Sequence, residues 1–242
     1  MSKVPAASSR IYFDEFAFSS YLTSYEQMIR QELAKVDTFA DAGPRRIVGN
    51  HDYDLSHLGL FEPTDDEFDE QAFAAINDSD DHYFTHLPEG SAENTVAYDF
   101  AARLEGQPRL ASAGGAVLLN MQSKGSLGAS RGLVLGSVTT TGAENRTGRN
   151  MGATSANTIF RVVFRVLTFS GTNITLKLQE SQNDGSPDTY GDISGLTSGA
   201  LTAKGVVAAQ TTSATEAWKR LNIAGTFSSA LILVTAGSIA GT

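Results

Sequence analysis

The sequence predicts a mainly β protein with one short α-helix, followed by a C-terminal β-sandwich. Three observations carry this. Residues 159–169 (IFRVVFRVLTF) alternate apolar and polar positions, the period of a half-buried strand. Glycine is abundant and proline scarce, 23 against 6, which suits a turn-rich β protein. Only one segment, just after Pro63, carries both a helix start signal and a helical apolar stripe.

In the last third, Phe160, Val162, Phe164 and Val166 share one face, and Arg161 and Arg165 punctuate the other, where they are expected to keep the unit soluble. Ser170-Gly171-Thr172-Asn173 reads as a turn, after which Ile174, Leu176 and Leu178 resume the alternation. Upstream, residues 51–61 place Tyr53, Leu55, His57, Gly59 and Phe61 on one side of a strand. Residues 94–104 are β-rich. Residues 116–122 and 131–138 flank KGSLGAS, which predicts a hairpin connection. Residues 21–37 fit two patterns. Tyr25, Met28, Ile29, Leu33 and Val36 make a helical stripe, which local pattern favours, while the turn Asp41-Ala42-Gly43-Pro44 suits a strand entering a loop.

The helix signal is specific. Thr64 and Glu67 form a capping box, each satisfying an orphan backbone donor of the other. Asp65, Asp66 and Glu67 place negative charge at the positive end of the helix dipole. Phe68, Ala72, Ala75 and Ile76 then make the apolar stripe, and Asn77–Asp81 ends it.

A chain of 242 residues holds one large domain or two small ones, and 41% hydrophobic residues suffice for a core. Residues 139–158 are small, polar and glycine-rich, a linker composition that divides the chain into 1–150 and 151–242. Charge divides the same way: 22 acidic against 12 basic side chains before residue 151, 5 against 6 after it. The acidic part argues against tight nucleic-acid binding, which needs basic patches. It fits either plain solubility or a surface that repels nucleic acid. There is no cysteine, so no disulfide or thiolate metal site; no run long enough to predict a transmembrane helix; and no secretory h-region in MSKVPAASSR.

Catalytic constellations are absent from the pattern. All four histidines lie between positions 51 and 86. His82 and His86 have the i, i+4 spacing of ligands on a helix face, without an HExxH motif. His51 and His57, in an apparent strand, stand roughly 20 Å apart and do not chelate together. Asp65–Glu70 lacks the EF-hand series; Asp78, Asp80 and Asp81 form a looser cation candidate. No nucleophile elbow occurs, and Gly125-Ser126-Leu127-Gly128 is not a phosphate loop. Asn183–Asp188 is a turn cluster. Trp218, beside Lys219 and Arg220, fits either a strand residue at a domain edge or an exposed platform for a sugar. No enzyme activity, cofactor or metal is expected.

The ordered series SSYLTSYEQ, VDTFADAGPRRIVGNHDYDLSHLGLFEP, the acidic helix, RGLVLG and TGAENRTGRNMGA resembles the tail tube proteins of long, non-contractile bacteriophage tails. Gly59-Leu60-Phe61-Glu62-Pro63 fits the family's G-x-F-x-P exit before the helix. FSGTNITLKLQES and RLNIAGTFSSALILVTAG are similar to β-sandwich units appended to such proteins. The resemblance spans nearly the whole chain. It implies a tail-tube β-sandwich or barrel over 1–150, an exterior β-sandwich over 151–242, and a long strand pair over 21–37 in place of the helix. It also implies a structural virion protein assembled in the host bacterial cytoplasm, forming hexameric rings stacked into a tube through which DNA passes without specific binding. Partners would be further copies, tape measure, tail tip and terminator proteins, with no membrane. The loop bearing Asp41, Arg45 and Arg46 is expected to reach a neighbouring ring. The rival expectations are a capsid decoration or virion-surface protein, and a carbohydrate-binding β-sandwich module.

Overall fold

The computed structural model describes residues 8–35, 46–61, 68–111 and 115–239. The chain runs β1 (Arg10–Phe13), β2 (Phe16–Ala17), a 3-10 turn (Phe18–Ser20), β3 (Leu22–Lys35) and β4 (Arg46–Leu60). The helix α1 (Phe68–Ile76) precedes β5 (His82–Leu87), β6 (Val96–Gly106), β7 (Arg109–Leu110) and β8 (Leu118–Thr140). Two short strands, β9 (Glu144–Asn145) and β10 (Arg149–Asn150), lead to β11 (Phe160–Ser181), β12 (Gly191–Leu201), β13 (Gly205–Thr211) and β14 (Trp218–Ile239). Among the described residues the protein is thus mainly β with one short helix.

All ladders are antiparallel, and the strands form one hydrogen-bonded network ordered β12-β11-β14-β8-β6-β5-β1-β2, with the β3–β4 hairpin joined at β8. The 23-residue β8 organises it. One of its edges pairs with β6; the other pairs first with β4, over residues 118–124, and then with β14, over residues 130–140. The expected hairpin at KGSLGAS is therefore corrected: the segment continues β8 straight through the change of partner. Small residues there admit large neighbours. A Cβ on Gly125 would come within 2.6 Å of the Tyr53 ring.

β11 shows a second long strand in place of an expected turn. Residues 170–173 stay in the ladder with β14, with register shifts between Val166 and Asn173. Bulges bend a strand pair. The apolar rows on both sides of the bend, Phe160 to Val166 and Ile174 to Leu178, accordingly line one core with Leu221, Ile223 and Ile232. A separate core in the first part gathers Phe13, Phe18, Tyr53, Phe68, Phe84 and Phe100. The helix contributes Phe68, Ala72 and Ala75 to burial, as its stripe predicts, although its capping box at Thr64 and Glu67 lies outside the described residues. Phe68 packs against Gly59, where a Cβ would approach its ring to 2.7 Å.

A third, smaller cluster of Tyr12, Leu87, Ala97, Val134 and Leu233, with Leu167 against it, joins the two parts. β11 is thus covered on both faces, and Arg161 and Arg165, expected at the surface, are 2% and 0% exposed. The segment 139–158, expected as a linker, instead lays β9 and β10 along β14. Residues 22–35 form the strand that the family resemblance implies, not the helix that the local stripe favours.

Candidate functional site

β3 and β4 make a long hairpin whose ladder runs from Leu22 opposite Gly59 to Lys35 opposite Arg46. β4 is alternately buried, with Tyr53, Leu55, His57 and Gly59 inward. β3 lies at the edge. It pairs with β4 on one side and, among the described residues, with no strand on the other. Met28 and Ile29 are 40% and 44% exposed there. A 14-residue strand with an open ladder edge and exposed apolar side chains is a template for pairing with another chain.

The outward face of β3, β4, β8 and β6 is polar and of mixed sign. Arg30 meets Asp54 at 2.8 Å and Lys124 meets Glu105 at 3.5 Å, with Glu26 and Gln122 beside them around a shallow depression of about 310 Å³. Exposed pairs of this kind contribute only about 0–1 kcal/mol each; their effect is on what the face accepts. Nearer the base of the hairpin the same face turns apolar, with Leu60 and Leu110 exposed on either side of Leu118.

Histidines fasten the hairpin to the body. His57 of β4 stacks on Phe84 of β5, with ring centroids 4.9 Å apart and planes within 9°. Tyr25 of β3 bonds His86 Nε2 through its hydroxyl. Burial holds His57 at about 3, helped by the nearby His86, and burial also holds His86 at about 4. Both rings are neutral at pH 7. His82 differs. Burial opposes its charge, but the Asp14 carboxylate 2.7 Å away, with Asp78 and the Ala75 backbone, more than offsets this and raises it from its ordinary value.

The seam between the two parts is polar and buried. Arg165 donates from Nε to the Asp14 carbonyl at 2.6 Å and from Nη2 to the Tyr83 carbonyl at 2.8 Å, and lies 3.9 Å from Asp99. Asp99 also accepts hydrogen bonds from Thr85 and Thr235. Burial pushes its carboxyl up, against Arg165 and these donors. Glu93 holds both Arg146, at 2.6 Å, and Arg149, at 2.7 Å, and so ties the β9–β10 segment back to the first part. At the partner change in β8, the Leu127 carbonyl accepts from the Tyr53 hydroxyl and the Gly128 carbonyl from Arg161 Nη1 at 2.6 Å.

Of the residues singled out in sequence, Asp41 and Arg45 lie outside the described residues. Arg46 opens β4 opposite Lys35. His82 and His86 share a strand, not a helix, which sets them roughly 13 Å apart along it. Asp78 accepts the Asp80 amide at 3.0 Å, and Asp81 pairs with Arg103 at 2.9 Å. Among the described residues, no group of three or more histidine or acidic side chains is placed to hold a metal ion, and no helix is long and apolar enough to cross a membrane. Trp218 begins β14 opposite Ser181, half-buried, while its neighbour Lys219 is wholly buried with Glu180 at 2.7 Å. In the 183–188 loop, Asp184 accepts the Tyr190 hydroxyl at 2.6 Å. The seam residues Arg161, Arg165 and Asp99 escape sequence reasoning. The signal for the two arginines is Val163 between them and Leu167 beyond, apolar side chains on the same face of the strand, as expected where both faces are covered.

No protein-family model matches the chain, and no curated protein matches it. Among solved structures it is similar to a chain of the virion of a native gene transfer agent particle, at 15% identity and TM-score 0.44, over 53% of this chain and 98% of that one. It is similar to a chain of the anti-feeding prophage tube-terminating cap at 9% identity and TM-score 0.44, over 55% and 93%. The SPP1 Dit protein aligns at 11% identity and TM-score 0.37, over 94% and 98%. All three scores lie below 0.5, so the functional reading rests on the geometry of this chain.

Proposed function

We propose that this chain is a structural virion protein, the major subunit of a phage tail tube, and that it acts by self-assembly without catalysis. The observation that supports this best is the open edge of β3. Subunits pairing edge to edge around a ring close their sheets and leave no open edge. Rings then stack head to tail through unlike surfaces, which generates a filament. In this reading six copies form each ring, the outward polar face of β3, β4, β8 and β6 lines the lumen, and its mixed charge offers DNA no basic track. The first 150 residues build the conduit and residues 151–242 stand outside it. The assembly sits in the phage tail, is built in the host cytoplasm, and meets tape measure, tail tip and terminator proteins.

Electron microscopy of the purified protein tests the reading directly. Wild-type chain should give rings or hollow tubes, in chelator as well as without it. Ile29→Lys puts a charge on the open edge, a device by which natural edge strands resist pairing. This variant should keep its fold by circular dichroism and remain monomeric by sedimentation. A wild-type chain that stays monomeric at every concentration and salt, even with tail-tip complexes as nucleator, would rule the tube out.

A further inference from the structure

The gap in the partner sequence of β8 leaves a cavity of about 170 Å³ at the junction of the two parts, lined by Tyr83, Leu127, Arg161, Ala208, Ala209 and Gln210. At ~30 Å³ for each water, this holds about six. Arg161 is 2% exposed and spends Nη1 on the Gly128 carbonyl, while its buried Nη2 has no hydrogen-bond partner. No described carboxylate lies within ion-pair distance of it; Asp99 acts on it only through space. Gln210 lies directly across the ladder from Arg161, and Ala208 across from Val163, so both share its face. A buried guanidinium with an idle donor is costly unless water or an anion meets it, and an anion also balances its charge. A planar fork of N–H groups is suited to a carboxylate or phosphate.

We propose that this cavity is a binding site for a small oxyanion, a carboxylate or phosphate group, received by Arg161 Nη2 with the Tyr83 hydroxyl and the Gln210 amide as further donors. Ala208 keeps the space open. The oxyanion arrives either as a free ion or as an acidic side chain of a second copy; both present the same group to Arg161. Bound there, it neutralises the one arginine at the seam that lacks a carboxylate and braces β13 against β5.

Inorganic phosphate and acetate serve as probes for the full-length chain at pH 7, with chloride at matched ionic strength as control. Arg161 also caps the Gly128 carbonyl, so its replacement risks the fold; Ala208→Leu, which fills the cavity, and Tyr83→Phe, which removes one donor, are the working variants. Calorimetry should show saturable binding of one phosphate or acetate per chain, about tenfold weaker in Tyr83→Phe and lost in folded Ala208→Leu. If the occupant is a carboxylate of a second copy, sedimentation should show that acetate and Ala208→Leu each shift the self-association of the chain to higher protein concentration. The proposal is overturned if neither probe binds above chloride and Ala208→Leu self-associates like wild type, or if binding persists unchanged in Ala208→Leu.

Discussion

Arg165 shows how much one buried side chain decides. It satisfies two backbone carbonyls, on Asp14 and Tyr83, and faces Asp99 in a site closed to water. Removing one partner of such a cluster leaves the other charge and the carbonyls unpaired, which typically costs about 3–5 kcal/mol. Arg165→Ala should therefore lower the unfolding free energy by about that amount in denaturant titration, while a surface change such as Arg30→Ala should move it by less than about 1 kcal/mol. The histidines give a second test at this scale. His57 and His86 titrate well below the ordinary value of 6.5, at about 3 and about 4. A lowered folded pKa means stability that is present above about 6.5 and lost as pH falls through the folded values, because the unfolded chain takes up the proton first. His82 and Asp99 are raised and act in the opposite sense, so the comparison must be with a variant. His57→Phe, which keeps a ring on Phe84, should remove about 1.4 kcal/mol per pH unit from the slope of stability against pH between about 4 and 6.5. An unchanged slope would show that His57 is not buried as described.

Among the elements, β3, β8 and β11 carry the architecture. β3 is held to the body through β4, Tyr25 and the histidines, and among the described residues no strand pairs with its outer edge. The expected monomeric behaviour of Ile29→Lys belongs here, because the change acts on a ladder edge and leaves both cores alone. β8 and β11 are long because each changes partner strand along one edge without a turn. β8 changes partner, and Tyr53 and Arg161 satisfy the carbonyls at the change. β11 bends at its bulge, and one strand lines both sides of the C-terminal core.

For the whole molecule the question is whether the two parts separate. The sequence leads one to expect that a chain ending near Gly152 still folds and forms thinner tubes. The seam revises that outcome. Truncation strips β14 from β8 over residues 130–140, removes Arg165 from Asp99, and uncovers Leu87, Ala97 and Val134. A chain ending at Gly152 should therefore be insoluble or unfolded by circular dichroism, and soluble, tube-forming material would show the seam to be dispensable. The loop of Asp41, Arg45 and Arg46 is tested independently. Opposite charges on a polar loop set register more than affinity. Arg45→Glu with Arg46→Glu should give folded subunits that form rings without stacking them, as seen by electron microscopy. Full-length tubes from that variant would remove the loop from the contact between rings.

The sequence by itself determined the β class, the helix at Phe68–Ile76 and the inward faces of β4 and β11, because side-chain period is a local property that burial on one face imprints directly. It also located Gly59 before the helix. Whether residues 22–35 were strand or helix was not local, since Tyr25, Ile29 and Leu33, spaced by four, fit both periods; the ladder with β4 decided it. Two polar, glycine-bearing segments, 124–130 and 170–173, look alike to any local reading of turns. Only the tertiary structure made both of them strand, by supplying partners along their length. The burial of Arg161 and Arg165 was likewise decided there: an arginine on an alternating strand is outward until a second layer covers that face. The division of the chain shows the same physics, since composition at 139–158 records only that apolar side chains are few there, and says nothing of the hydrogen bonds that fasten β9 and β10 to β14.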